Sequence, residues 1–181
     1  MKILFIGPMG AGKTTAITAL SDIPPIATEA QNFDQLSAAK ATTTVAMDYG
    51  ELHLSSDEFV ALYGIPGQAH FSFMWEVLAQ GALGAILLLN HLEANALQQL
   101  DLYLDAFPEL VACGAVVVAV GHAQAFGDAV LAPYQRVLSQ RGLALPLFVT
   151  DVRYREQVQL LVESLIANAE VTQFLDGHLA L

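Results

Sequence analysis

Gly7, Gly12, Lys13 and Thr14 fill the pattern G-x-x-x-x-G-K-T, with Pro8, Met9, Gly10 and Ala11 inside the loop and Thr15 just beyond it. Residues of these types at this spacing can hold a run of phosphates. Consecutive backbone N–H groups ahead of a helix N-terminus form a concave site of partial positive charge. Glycine lets the main chain come close, because a Cβ would collide with phosphate oxygens. The Lys13 ammonium can then reach the β and γ phosphates, and the Thr14 hydroxyl is placed to ligate Mg2+.

Such a loop needs a strand before it and a helix after it. Ile3, Leu4, Phe5 and Ile6 form a short apolar run bounded by Gly7, which predicts a buried strand, and residues 13–20 have the apolar spacing of an opening helix. Ser21, Asp22 and the Pro24-Pro25 pair end it. Residues 26–40 are polar and without clear period, and read as a long connection leading to Thr42, Thr43 and Thr44. Residues 44–54 and 58–63, parted by the turn Ser55-Ser56-Asp57, predict an antiparallel hairpin. A glycine-rich break follows, Gly64-Ile65-Pro66-Gly67-Gln68, and then a helix over 70–80 with Phe71, Met74, Trp75 and Leu78 on one face. Trp75 reads as core. Phe73 lies two positions away and cannot share that face, so an aromatic is left outward as a partner anchor.

Beyond residue 80, strands at 81–89, 115–120 and 145–150 alternate with helices at 97–107, 132–140 and 158–166, while 170–181 carry no readable pattern. The expected fold is α/β in a single domain: a mostly parallel six-stranded sheet with one antiparallel hairpin edge and helices on both faces. A ligand belongs at the carboxyl ends of the strands.

At 181 residues the chain is long enough for one full core. Seven Lys and Arg stand against eighteen Asp and Glu, a net charge of −11, which argues against nucleic acid and anionic membrane as partners. An anionic ligand must therefore be captured by local groups. The longest apolar runs, 82–89 and 110–120, fall short of the roughly 18 residues of a membrane span, so no membrane insertion is expected. Met1 leads into the first strand without a secretory pattern. Cys113 has no second cysteine to pair with and reads as a buried structural thiol in a cytoplasmic protein. His53, His70, His91 and His178 lack metal-ligand spacing.

With the glycine loop, the threonine cluster, Pro66-Gly67-Gln68 after a strand and the alternating elements beyond, the chain resembles a Ras-like small GTPase over residues 1–168, leaving 169–181 as a tail. The segments TTTVAMDYG, LYGIPGQ, HFSFMWEVL and GALGAILLL are similar to a bacterial branch that includes the actinomycete conservon GTPases and, more distantly, the gliding-motility polarity GTPase. The resemblance implies GTP/GDP and Mg2+ as ligands. It implies that Thr44, with Thr43 as the alternative, senses the γ-phosphate and ligates Mg2+, that the Gly67 N–H bonds the γ-phosphate, and that Gln68 orients the attacking water. Two mobile segments, 26–48 and 64–80, and a roadblock-type regulatory dimer as partner follow from the same resemblance. No arginine precedes Thr42, which implies slow unaided hydrolysis.

Three positions depart from that family. Gly64 stands where an aspartate usually supports Mg2+, and Asp48 is the candidate replacement. An extended strand puts Asp48 roughly 13 Å from Thr44, so sharing a metal requires a bend or bridging water. Gly121, His122, Ala123 and Gln124 replace the Asn-Lys-x-Asp guanine reader, and the Gln124 amide cannot reproduce a bidentate carboxylate. The last nucleotide loop reads Thr150-Asp151-Val152, where Asp151 either contacts the base or caps the next helix. Two rivals to a guanine switch remain open: an interaction module that binds nucleotide weakly or not at all, and an ATP-binding phosphate-loop protein, since adenine is not excluded.

Overall fold

The computed structural model describes residues 1–30, 45–68 and 75–179. Its centre is β1 (Lys2–Ile6), which pairs in parallel with β4 (Phe59–Gly64) on one side and β5 (Gly84–Asn90) on the other. The sheet continues in parallel through β6 (Val116–Gly121) to β7 (Leu147–Val149). On the opposite side β3 (Val45–His53) runs antiparallel to β4, β2 (Ile26–Ala30) lies outside it, and the strand order is β2-β3-β4-β1-β5-β6-β7.

The six strands expected from the sequence all form. The seventh, β2 (Ile26–Ala30), falls at the start of the stretch read as a loop and pairs antiparallel with β3, Ile26 opposite Tyr49. Five edge residues are too few to show a period, and the ladder supplied by β3 makes the strand. The rest of that expected connection, 31–40, and Thr42, Thr43 and Thr44 lie outside the described residues.

Helices cover both faces, so the inner strands are apolar throughout instead of alternating. On one face α1 (Lys13–Leu20) and α6 (Arg155–Leu179) bury Ile3, Phe5, Ile86, Leu88, Val117 and Ala119. On the other, α3 (Ala96–Ala106), α5 (Ala132–Gln140) and Trp75 of α2 (Trp75–Ala79) bury Leu4, Ile6, Leu87, Leu89, Val118 and Val120. Each fully buried Ile, Leu, Val or Phe among them contributes about 1.5–3 kcal/mol of transfer free energy.

Three details correct the sequence reading. The final helix runs through to Leu179 and takes in most of the supposed tail. A short helix, α4 (Pro108–Ala112), intervenes before β6, with Pro108 in its first turn where no N–H is needed. Cys113 is exposed at the C-terminal cap of α4; it sits in the turn before β6, outside the buried strand. Trp75 is buried as expected, and Phe71 and Phe73 lie outside the described residues. No described helix is long and apolar enough to cross a membrane.

β1, β6 and β7 are parallel members of one sheet, so the residues that follow them emerge at one end. Gly7 follows β1, His122 follows β6 and Thr150 follows β7. Because the chain leaves β1 toward β4 on one side and later returns to β5 on the other, this end is a topological switch point.

Candidate nucleotide-binding site

The glycine loop is bent by three left-handed residues: φ is 135° at Gly7, 80° at Gly10 and 97° at Gly12. At Gly7 only glycine fits for a second reason, since a Cβ would lie 2.1 Å from the Leu88 carbonyl oxygen on β5. α1 starts after Gly12 with no side-chain cap and no acidic residue in its first turn, so its leading N–H groups are not neutralised from within. The Lys13 ammonium curls over the loop, donating to Gly7 O at 2.7 Å and Pro8 O at 2.8 Å. Burial pushes its pKa down to about 8, with the Asp48 carboxylate opposing that shift. A half-buried ammonium bonded to main-chain oxygens suits an anionic ligand, which would favour its charged form further.

Thr14 Oγ1 donates to Asp48 Oδ2 at 2.6 Å. The register places Asp48 directly opposite Gly64 on the neighbouring strand. A Cβ added at Gly64 would sit 3.1 Å from both Asp48 Cβ and Oδ2. The Asp48 carboxylate thus stands in the space that a side chain from position 64 would enter. A hydroxyl and a carboxylate oxygen side by side form the hard-oxygen donor pair that Mg2+ takes. Among the described residues there is no cluster of three or more His, Cys, Asp or Glu fit for a metal.

Gly67 packs on the same loop. A Cβ there would lie 2.3 Å from Gly7 O and 2.8 Å from Met9 N, so the Pro66-Gly67 segment approaches the phosphate loop main chain to main chain. Gln68 is exposed, its amide Nε2 3.8 Å from Met9 Sδ.

At the other end, a cavity of about 280 Å3 runs from Gly10, Ala11, Gly12 and Thr15 to Gly121, His122, Gln124, Thr150, Asp151, Val152 and Arg153. Gly10, Ala11, Gly12 and Thr15 thus share one groove with the expected base residues, whereas Gly7, Lys13, Thr14 and Gly67 do not line it. His122 is the one non-glycine of positive φ among the described residues, at 57°. Gln124 Nε2 donates to Thr150 O at 2.5 Å. The Asp151 carboxylate accepts from Arg153, Nε to Oδ1 at 2.8 Å and Nη2 to Oδ2 at 2.6 Å, which holds its pKa below the usual carboxylate range. The Asp151 N–H donates to Gln157 Oε1 at 2.7 Å. Asp151 also accepts from the Arg153 N–H at 3.1 Å, forming an Asx turn two residues before α6 instead of a helix cap. Thr150 Oγ1 is buried and has no hydrogen-bond partner among the described residues.

Arg153 and Gln157 escaped the sequence reading. The signal available was only their spacing, two and six residues after Asp151 in a polar opening to a helix. Tyr103 and Trp75 escaped it as loop anchors: Tyr103 Oη donates to Gly67 O and Trp75 Nε1 to Pro66 O, each at 3.1 Å.

A central parallel sheet, a glycine loop after its first strand and helices on both faces define a phosphate-loop domain with the architecture of GTPase G domains. Among solved structures, the G domain of the T. maritima FeoB iron transporter superposes with a TM-score of 0.62 at 20% identity, covering 93% of this chain and 98% of that one. The cytosolic domain of the same transporter, described in a GDP form, matches with a TM-score of 0.62 at 21% identity, covering 93% of this chain and 62% of that one. No protein-family model and no curated protein matches the chain.

Proposed function

We propose that this chain is a nucleotide-dependent switch that binds Mg·GTP at residues 7–15, hydrolyses it slowly and passes its nucleotide state to a partner protein. The observation that carries the reading is the Asp48 carboxylate bonded to Thr14 beneath a loop of main-chain amides and the Lys13 ammonium. In that reading the amides of Gly10, Gly12, Lys13 and Thr14 hold the β-phosphate, and Lys13 leaves the carbonyls of Gly7 and Pro8 for the β and γ oxygens. Thr14 and Asp48 hold Mg2+, directly or through water, together with Thr44 as the family resemblance implies. Bound Mg2+ neutralises charge on the phosphate oxygens.

Gly67 supplies an N–H to the γ-phosphate and Gln68 positions water. Gln68 must first leave Met9, and no arginine precedes Thr42, both of which favour slow turnover. A roadblock-type dimer is the partner that the resemblance suggests. The FeoB domain in its GDP form supports guanine as the base.

The base end favours a second reading, in which the base is weakly discriminated. Both carboxylate oxygens and the N–H of Asp151, and one amide N–H of Gln124, are already engaged within the protein. A neutral amide also makes roughly half as strong a contact as a carboxylate. Titration with fluorescent GDP, GTP and ATP analogues, with and without Mg2+, separates the alternatives. Saturable, Mg2+-dependent binding with guanine preferred by about tenfold or less supports a switch of weak base selectivity. Stronger adenine binding makes the chain an ATP-binding protein, and no binding at micromolar concentration makes it an interaction module.

A further inference from the structure

Trp75 and Tyr103 lie on separate helices, yet both hydrogen-bond the main chain of the Pro66-Gly67 segment. Trp75 Nε1 donates to Pro66 O and Tyr103 Oη to Gly67 O, each at 3.1 Å. The two rings stack, centroids 5.0 Å apart at 23°, and Phe107 extends the stack on Trp75 at 5.8 Å and 16°. All three are at most 3% exposed. A hydrophobic core needs neither the indole N–H nor the phenol O–H to reach one particular loop. Here both do, and they reach two successive carbonyls.

The carbonyl of Pro66 and the N–H of Gly67 belong to one peptide unit. All described peptide bonds are trans, so the two groups point in opposite directions. Fixing Pro66 O on the indole therefore fixes the direction of the Gly67 N–H, and fixing Gly67 O on the phenol clamps the next plane. A carbonyl that accepts a hydrogen bond also makes the N–H of its own peptide a better donor. The clamped residue presses on the phosphate loop: a Cβ at Gly67 would come within 2.3 Å of Gly7 O.

Resting on the proposed nucleotide reading, we infer that Trp75 and Tyr103 are positioning residues that aim the Gly67 N–H at the terminal phosphate of a nucleoside triphosphate and connect that contact to α3. The stack makes the relay specific. Movement of the Pro66-Gly67 segment toward or away from the phosphate loop must either drag Tyr103 and its helix or break the Tyr103 hydrogen bond. The surface of α3 next to Tyr103 then differs between triphosphate and diphosphate states, which is what a partner needs in order to tell them apart.

The test compares the wild type with Tyr103→Phe, which keeps the ring stack and removes only the hydroxyl. Calorimetric titration uses GDP and the non-hydrolysable β,γ-imido analogue of GTP, both with Mg2+. The variant is expected to melt within a few degrees of the wild type and to bind GDP within about twofold, while its affinity for the triphosphate analogue falls about three- to tenfold. Equal loss for both ligands, or no loss for the analogue, overturns the inference. Trp75 is the sole tryptophan, so indole emission reports on the clamp itself. The triphosphate analogue should change that emission in the wild type more than GDP does, and the difference should shrink in Tyr103→Phe; equal responses to the two ligands contradict the inference. A wild type that binds neither ligand removes the phosphate-loop reading before any variant is compared, and this inference goes with it.

Discussion

At the glycine-loop end of the groove, the groups proposed to meet a ligand are main-chain amides, set in place by β1, by the left-handed turns at Gly7, Gly10 and Gly12, and by α1. At the base end they are the side chains of Gln124 and Asp151, and these are bonded to Thr150 and Arg153. Recognition by backbone survives changes of side chain as long as the glycines and the strand-loop-helix order persist. Recognition by side chain can be lost or rebuilt one residue at a time. The Thr14–Asp48 corner falls between the two: its hydroxyl, Thr14, belongs to the loop, while its carboxylate comes from β3 and not from the position on β4 where the family resemblance puts it.

The comparison breaks most severely with Lys13→Ala. Nucleotide affinity should fall by about a hundredfold or more with the fold intact, read by calorimetry and by circular dichroism. Unchanged affinity would mean that the phosphates do not sit on this loop. Asp48→Ala should weaken the Mg2+-dependent part of binding by about 10- to 100-fold and leave binding in EDTA unaltered.

The pairing of Asp48 with Gly64 sharpens this point. Gly64→Asp alone should also weaken Mg2+-dependent binding, because its Cβ would lie 3.1 Å from Asp48 Oδ2 and bring two carboxylates together. The double change Asp48→Gly with Gly64→Asp should recover most of the loss, a strong coupling of opposite sign measured by the double-mutant cycle. At the base end the effects are smaller. Gln124→Asp should raise the GTP-to-ATP affinity ratio about three- to tenfold without altering competition by pyrophosphate. Arg153→Ala, whose side chain is 73% exposed, should change nucleotide affinity by about fivefold or less, since exposed ion pairs contribute about 0–1 kcal/mol.

The same division governs what the sequence discloses. The glycine loop, β1, β5, β6 and helix α5 are legible because each is fixed by local residue types: glycine where φ is positive, unbroken apolar runs where both faces are covered, helical spacing after Pro133. β2 is not legible, because five edge residues owe their conformation to pairing with β3. The exposure of Cys113 follows from α4, a five-residue helix too short to announce itself. Asp48 could be nominated as the replacement acid, but its distance along the strand from Thr44 says nothing of the hydroxyl and the glycine it meets from other elements. The cross-strand register with Gly64 and the bond to Thr14 are tertiary facts. Tyr103 had no signal at all, since its hydroxyl meets Gly67 across 36 residues of chain.

The central claim is that main-chain amides at the opening of α1 cradle the phosphates of a nucleotide. Titrating 15N-labelled protein with GDP and Mg2+ tests it residue by residue. The amide resonances of Gly10, Gly12, Lys13 and Thr14 should undergo the largest shifts, and pyrophosphate should reproduce them while leaving His122 and Gln124 unmoved. If those four amides stay in place while the nucleotide binds elsewhere, or if millimolar GDP perturbs nothing, the account is wrong.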